Sequence, residues 1–181
     1  MFSIILPTFN RCNLISYSIE SVLDQKYPKW ELIIVDDGST DNTRALVSKF
    51  LKKDNRIRYI FQKNTERSVA RNNGINAAKG DWICFLDSDD KFHTTHLNEL
   101  RKLIEKNKFQ KGLYFSGLSI NKYCDEEEKY DMSGSNNIEF VILNTIGTPR
   151  ASVHKEVFSK YLFNPRIRIG EDTELWVRIL T

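Results

Sequence analysis

Trp82-Ile-Cys-Phe-Leu-Asp-Ser-Asp-Asp90 decides the reading of this chain: five apolar residues run without interruption into three aspartates. An unbroken apolar run of that length predicts a strand covered on both faces, as in the middle of a parallel sheet. Aspartates crowded at the end of such a strand repel one another unless a cation or an array of donors neutralises them. The segment therefore marks a site as well as a strand.

The same grammar recurs on either side. Glu31 to Val35 is a second strand that runs into Asp36-Asp37-Gly38-Ser39, Ser3 to Leu6 is a first strand ending at Pro7, and Arg58 to Phe61 is another. Between them lie apolar residues at helical spacing: Ile15, Ile19, Val22 and Leu23 after Asn13 as cap, then Leu46, Val47, Phe50 and Leu51 after Asp41 or Ser39 as cap. Ser68 to Lys79 predicts a further helix closed by Gly80, and His96 to Lys108 one that buries Leu97, Leu100, Leu103 and Ile104. Strand character resumes over Leu113 to Ile120, and Asn121 to Asn137, with Asp125 to Glu128 and a Ser-Gly-Ser-Asn-Asn turn, reads as an exposed hairpin or loop. A short helix near Ile138 to Leu143, a strand around Arg150 to His154 and a helix from about Asp172 complete the pattern. Alternating strands and helices predict an α/β fold with a mostly parallel central sheet.

Composition agrees with one folded domain. The chain has 181 residues, 40% of them hydrophobic, which is enough for one sizeable core and excludes a disordered or low-complexity chain. Its 27 basic and 24 acidic residues leave a net +3, with the signs interspersed. That is too mild for a nucleic-acid binder, although attraction to phosphates or to an anionic membrane face stays open. Lys102, Lys106 and Lys108 read as a solvated helix face. Cys12, Cys84 and Cys124 fit neither a disulfide framework nor a CxxC metal site, and no stretch approaches the ~20 apolar residues that span a bilayer, so a cytosolic setting is expected. His93, His96 and His154 match no metal-ligand pattern, and Trp30, Tyr114 and Phe115 sit among apolar neighbours as core residues rather than as sugar-stacking platforms.

In a parallel sheet, the carboxyl ends of neighbouring strands share one edge, so the acidic clusters after the second and fourth strands can face one cleft. Carboxylate oxygens at D-x-D spacing without nearby His or Cys suit Mg²⁺ or Mn²⁺, and an ion held by few protein ligands completes its shell from the oxygens of a diphosphate. Neither a P-loop nor a G-x-G-x-x-G is present to cradle phosphates on backbone amides, which excludes the common NTPase and dinucleotide signatures. Arg71 or Arg67 could assist from a helix start. Capping of helices by aspartate accounts for Asp41 and plausibly for Asp36, and poorly for Asp87, Asp89 and Asp90 together.

Several stretches taken together resemble a family 2 glycosyltransferase with the GT-A fold. They are Ser3-Ile-Ile-Leu-Pro-Thr-Phe-Asn10, Ser21-Val-Leu-Asp-Gln25, Ile33 to Thr43, Ser68-Val-Ala-Arg-Asn72 with Gly74, Phe85 to Asp90, and Gly170-Glu-Asp172 followed by Leu175-Trp176. The resemblance implies a single GT-A-like domain, with a nucleotide-sugar-binding part over residues 1–90 and an acceptor-side part over 91–181. It implies that Pro7 and Thr8 line the nucleotide pocket, Asp37 bonds the base (commonly uracil), Arg71 approaches the nucleotide, Asp87 the ribose, and Asp89, with Asp90 nearby, the metal. Glu171 and Asp172 would supply the catalytic base, Asp172 foremost. The implied reaction is an inverting transfer from a nucleotide-diphosphate sugar to a glycan or lipid-linked acceptor, assisted by Mg²⁺ or Mn²⁺, with peripheral membrane association as an open partner class. Glu66 departs from the glycine usual at its place, so it either repels a diphosphate or pairs with Arg67. The final helix is still periodic at Thr181, so the acceptor side is expected to be incomplete. A non-catalytic nucleotide-sugar binder, a D-x-D phosphatase and a sugar nucleotidyltransferase are the competing readings. The last two lack, respectively, the motif on the first strand and a glycine-rich basic loop after it.

Overall fold

The computed structural model describes residues 1–116 and 147–181. Six strands form one sheet in the order β3-β2-β1-β4-β6-β5, with β1 at Phe2–Thr8, β2 at Trp30–Asp36, β3 at Ile57–Phe61, β4 at Trp82–Phe85, β5 at Leu113–Phe115 and β6 at Ala151–His154. The first four are parallel, and β6 runs antiparallel to both β4 and β5. The helices are α1 (Ile15–Leu23), α2 (Thr43–Leu51), α3 (Arg67–Ala77), α4 (His96–Lys106) and α5 (Glu171–Leu180).

The continuous apolar runs follow from burial on both faces: every residue of β1, β2 and β4 is buried. Because side chains alternate, Ile4, Leu6, Leu32, Ile34, Cys84 and Leu86 pack in one layer with Ile15, Ile19, Val47, Leu97 and Leu100 from α1, α2 and α4. Ile5, Ile33, Val35, Ile83 and Phe85 face the other layer, with Ala70 and Ile75 of α3 and Leu175 and Trp176 of α5. Gly74 lets α3 lie against β1, since a Cβ there would stand 2.4 Å from Ile5 Cγ2. The Phe85, Phe163 and Trp176 rings meet edge-on or tilted, with centroids 5.3 to 6.3 Å apart, and pin α5 to β4. Trp30 is core, as expected, under the Arg56 guanidinium. Tyr114 and Phe115 are partly buried against the two layers. Cys84 is wholly buried, and burial pushes its thiol up to about 12.

Several boundaries differ from the sequence reading. β1 continues through Pro7, because the Leu86 amide donates to Ile5 O and the β4 pairing ends at Ile5 and Phe85. Pro7 points to that same side beyond the end of β4, where no partner asks for an amide hydrogen. Asn13 caps nothing: the α1 N-cap is Leu14, without a side-chain bond. At α2, Asp41 Oδ1 accepts the Thr43 amide at 2.9 Å, whereas Ser39 Oγ accepts that of Asn10. α3 runs from Arg67 to Ala77 rather than from Ser68 to Lys79, with Glu66 as its cap. α4 stops at Lys106 because Lys108 and Phe109 take positive φ. The expected strand beyond residue 116, the loop over 121–137 and the helix near 138–143 lie outside the described residues. Among the described residues, no helix is long and apolar enough to cross a membrane.

His96 stacks on Phe92 with ring centroids 4.0 Å apart. Burial and then the nearby His93 lower its pKa from 6.5 to about 4. The native state thus binds fewer protons than the unfolded chain between those values, and stability falls as pH drops from about 6.5 towards 4. We expect about 1–2 kcal/mol of acid-side loss from this group, given its partial exposure. Urea unfolding at pH 7 and pH 4.5 checks it: His96→Gln should flatten the difference, and an unchanged slope would assign the loss to other groups.

Candidate functional site

A cleft of about 660 Å³ opens at the carboxyl edge of the parallel strands, walled by Pro7, Thr8, Asp37, Arg71, Asp87 and Asp89 together with the Asn64–Arg67 loop and Arg168. These residues come from the ends of β1, β2 and β4 and from α3, so one rim gathers side chains far apart in the chain.

The two adjacent aspartates at the end of β2 have separate fates. Asp36 is fully buried and accepts the Ser39 amide at 2.8 Å and the Tyr59 hydroxyl at 2.6 Å. Burial first and Asp36 second raise the Tyr59 pKa. Asp37 turns to the cleft instead. Its Oδ1 accepts Gln62 Nε2 at 2.7 Å, Thr65 N at 2.9 Å and Thr65 Oγ1 at 3.3 Å, and its Oδ2 accepts Glu66 N at 2.9 Å. Thr8 is also buried, and its hydroxyl has no hydrogen-bond partner among the described residues. A buried polar group left unpaired in a cleft wall suits a bond to a ligand.

Arg71 is 3% exposed and joins three elements: Nη2 donates to Asp87 Oδ1 at 2.9 Å and to Thr148 Oγ1 at 3.1 Å, and Nη1 to Glu171 Oε1 at 2.8 Å. Burial opposes its charge, but Asp87 and Glu171 outweigh that and raise its pKa. Arg67 Nε adds a second ion pair to Glu171 Oε1 at 2.7 Å. Glu171 is thus buried between two guanidinium groups, and Asp172 follows as the second residue of α5, half-buried, with Oδ1 accepting the Thr173 amide at 2.8 Å. Neither Glu171 nor Asp172 belongs to the cleft wall; Arg67 and Arg71 connect Glu171 to it.

Asp89 is exposed, with Arg11 Nη2 3.9 Å away. Asp90 lies outside the wall, and desolvation followed by the like charges of Asp87 and Asp89 raises its pKa. Ser18 Oγ donates to the carbonyls of Asp90 (2.8 Å) and Asp87 (3.4 Å), which fixes this turn. Among the described residues, no three His, Cys, Asp or Glu converge into a self-sufficient metal set. An exposed carboxylate on the cleft wall with open surroundings fits a hard divalent ion that takes most of its shell from ligand oxygens.

Glu66 resolves the departure noted above. Its carboxylate accepts the Ser68 amide at 3.0 Å and stands 3.7 Å from Arg67, at φ 142°, ψ 155°. That backbone region belongs almost only to glycine, which explains why glycine is usual there. Gln62, Thr65, Thr148 and Ser18 had no signal in the sequence, being isolated polar residues whose partners lie elsewhere in the chain.

Comparison with known proteins places this geometry. The profile described as Glycosyl transferase family 2 matches residues 3–162. An uncharacterised glycosyltransferase of Rickettsia bellii is 41% identical over 98% of this chain, which covers 26% of that protein's length. TuaG of Bacillus subtilis, a glycosyltransferase named for teichuronic acid biosynthesis, is 32% identical over 99% of this chain and 72% of its own length. The crystal structure of S. aureus TarS residues 1–349 with UDP superposes at a TM-score of 0.76 and 22% identity over 97% of this chain and 53% of that one. The fold therefore matches that of GT-A-like neighbours, and the profile match over most of the chain makes it a member of glycosyltransferase family 2.

Proposed function

We propose that the cleft binds a uridine-diphosphate sugar and that the chain carries the donor half, with the candidate base, of an inverting glycosyltransferase acting on a hydroxyl of a glycan or lipid-linked acceptor. The observation that carries this reading is the placement of Asp37 and Asp89 along one rim, with the unpaired Thr8 hydroxyl and the Arg71–Asp87 pair in the same wall. Asp37 favours uracil. Its Oδ1 already accepts three donors and its Oδ2 one, so there is room for a single further N–H, which uracil offers at N3, whereas guanine presents two side by side. Asp87, oriented by Arg71, reaches toward the ribose. Asp89, with Asp90 as a second contact, would hold Mg²⁺ or Mn²⁺, which when bound neutralises charge developing on the leaving diphosphate.

Asp172 takes the proton from the attacking hydroxyl, a contribution of roughly 10²- to 10⁴-fold. Attack opposite the leaving group inverts the anomeric carbon and needs no covalent intermediate. Glu171, neutralised by Arg67 and Arg71, holds the first turn of α5 in place. The UDP of the TarS complex and the teichuronic acid named for TuaG favour a UDP-sugar and a glycan acceptor.

The test is thermal unfolding with UDP and Mn²⁺, together and separately. We expect stabilisation only when both are present. Asp89→Asn should weaken UDP binding by at least about tenfold, the equivalent of one lost ionic contact. Metal-independent binding, or full affinity in that variant, would overturn the metal role. Release of UDP from a UDP-sugar separates an enzyme from a mere binder.

A further inference from the structure

We infer that Gln62 and Asn73 are positioning residues that set the choice of base: they lock the Asp37 carboxylate so that the site takes uracil and rejects cytosine. This rests on the donor reading above. Neither residue lines the cleft. Gln62 is the first residue after β3, half-buried, and its backbone amide donates to Asp36 O at 2.9 Å. Asn73 is half-buried on α3, two residues beyond Arg71.

A chain of hydrogen bonds with one polarity joins them to Asp37. Asn73 Nδ2 donates to Gln62 Oε1 at 2.6 Å, and Gln62 Nε2 donates to Asp37 Oδ1 at 2.7 Å and to Thr65 Oγ1 at 2.8 Å. Both hydrogens of the Gln62 amino group are thus spent, and its carbonyl is held from the other side. The Asp37 carboxylate accepts from each of its partners among the described residues, so Gln62 must present its amino group there. Turned over, the amide would set Oε1 against Oδ1, two acceptors with no hydrogen between them. Asn73 is the donor that prevents the turn. The residue after it, Gly74, is where α3 presses on Ile5 of β1, so this donor stands on a fixed base.

The consequence is selectivity as well as affinity. Uracil offers an N–H at N3, which meets the open side of Asp37 Oδ2. Cytosine has a bare lone pair at N3 and its donor on the neighbouring N4, so it is accepted only where the carboxylate turns to follow that donor. Turning takes Oδ1 away from Gln62 and Thr65 together. A carboxylate bonded to the Thr65–Glu66 backbone alone would shift with that loop, whereas Gln62 ties it to α3 through Asn73.

The experiment titrates the 181-residue chain, with Mn²⁺ in excess, with UDP and with CDP, and follows heat. We expect wild type to bind UDP at least about tenfold tighter than CDP. Gln62→Met and Asn73→Asp should each bring that ratio down by about tenfold, towards one. Asn73→Asp keeps the shape of asparagine but offers only acceptors, so it draws Gln62 Nε2 to itself and turns Oε1 on Asp37. Its added charge weakens both nucleotides alike and leaves the ratio to report the turn. Asn73→Ala removes more atoms without reversing the polarity and should lower the ratio less; a merely structural role predicts equal losses for the two nucleotides. The unfolding midpoint without nucleotide shows that each variant titrated is folded, and if Asn73→Asp is not, Gln62→Met and Asn73→Ala decide by the same ratio. A ratio kept at the wild-type value in Gln62→Met, or lowered more by Asn73→Ala than by Asn73→Asp, overturns the assignment. Failure of wild type to bind UDP, or equal binding of UDP and CDP by wild type, is seen before any variant is made; it overturns the donor reading and the assignment with it.

Discussion

Arg71→Met is expected to destabilise the fold by about 3–5 kcal/mol, because it removes the shared cation from a buried network and leaves Glu171 and Asp87 facing each other without it. Glu171 is 4% exposed, so its carboxylate cannot turn to water without moving α5. Arg67 remains as a second partner, which places the effect towards the lower end of that range. Domains of this kind have a total stability of about 5–15 kcal/mol, so a substantial share of the margin is at stake. Urea unfolding measures it, and the double variant Arg71→Met with Glu171→Gln should recover part of the loss by removing the stranded charge. An unfolding midpoint matching wild type would mean that the network is effectively hydrated, and that α5 is held by its apolar packing through Leu175 and Trp176.

That network also shows where sequence reading stops. β1, β2 and β4 were legible because burial on both faces leaves an unbroken apolar run, and the acidic clusters stood out because charge ends each run abruptly. The clustering of Asp37, Asp87 and Asp89 on one rim followed from strand order alone. Which of Asp36 and Asp37 faces the cleft was out of reach for composition. It depends on which of the two meets the Tyr59 hydroxyl, a residue of β3 more than twenty positions on. The Arg71–Glu171 pair joins positions a hundred residues apart, and no local spacing announces it. Glu66 was visible only as a misfit. Its capping of α3 and its glycine-like backbone emerge from three-dimensional context, in which its own amide is committed to Asp37.

The choice between Glu171 and Asp172 has the largest expected effect on turnover. A general base needs a free lone pair facing the proton it removes. Both oxygens of Glu171 are engaged by Arg67 and Arg71, which leaves neither turned to a substrate hydroxyl. Asp172 spends one oxygen on the Thr173 amide, while its Oδ2 points towards Gly147, 3.9 Å from where a Cβ on that residue would lie. Asp172→Asn should therefore reduce UDP release from a UDP-sugar by roughly 10²- to 10⁴-fold, with water or an added glycan as acceptor, while UDP affinity stays at the wild-type value. Glu171→Gln should behave in the opposite way, with a lowered unfolding midpoint, because two guanidinium groups lose their shared anion, and a smaller change in the rate measured below that midpoint. If Asp172→Asn retains the wild-type rate and Glu171→Gln abolishes it, the ion-paired carboxylate must exchange partners during the reaction, and α5 would have to move relative to α3 for it to do so.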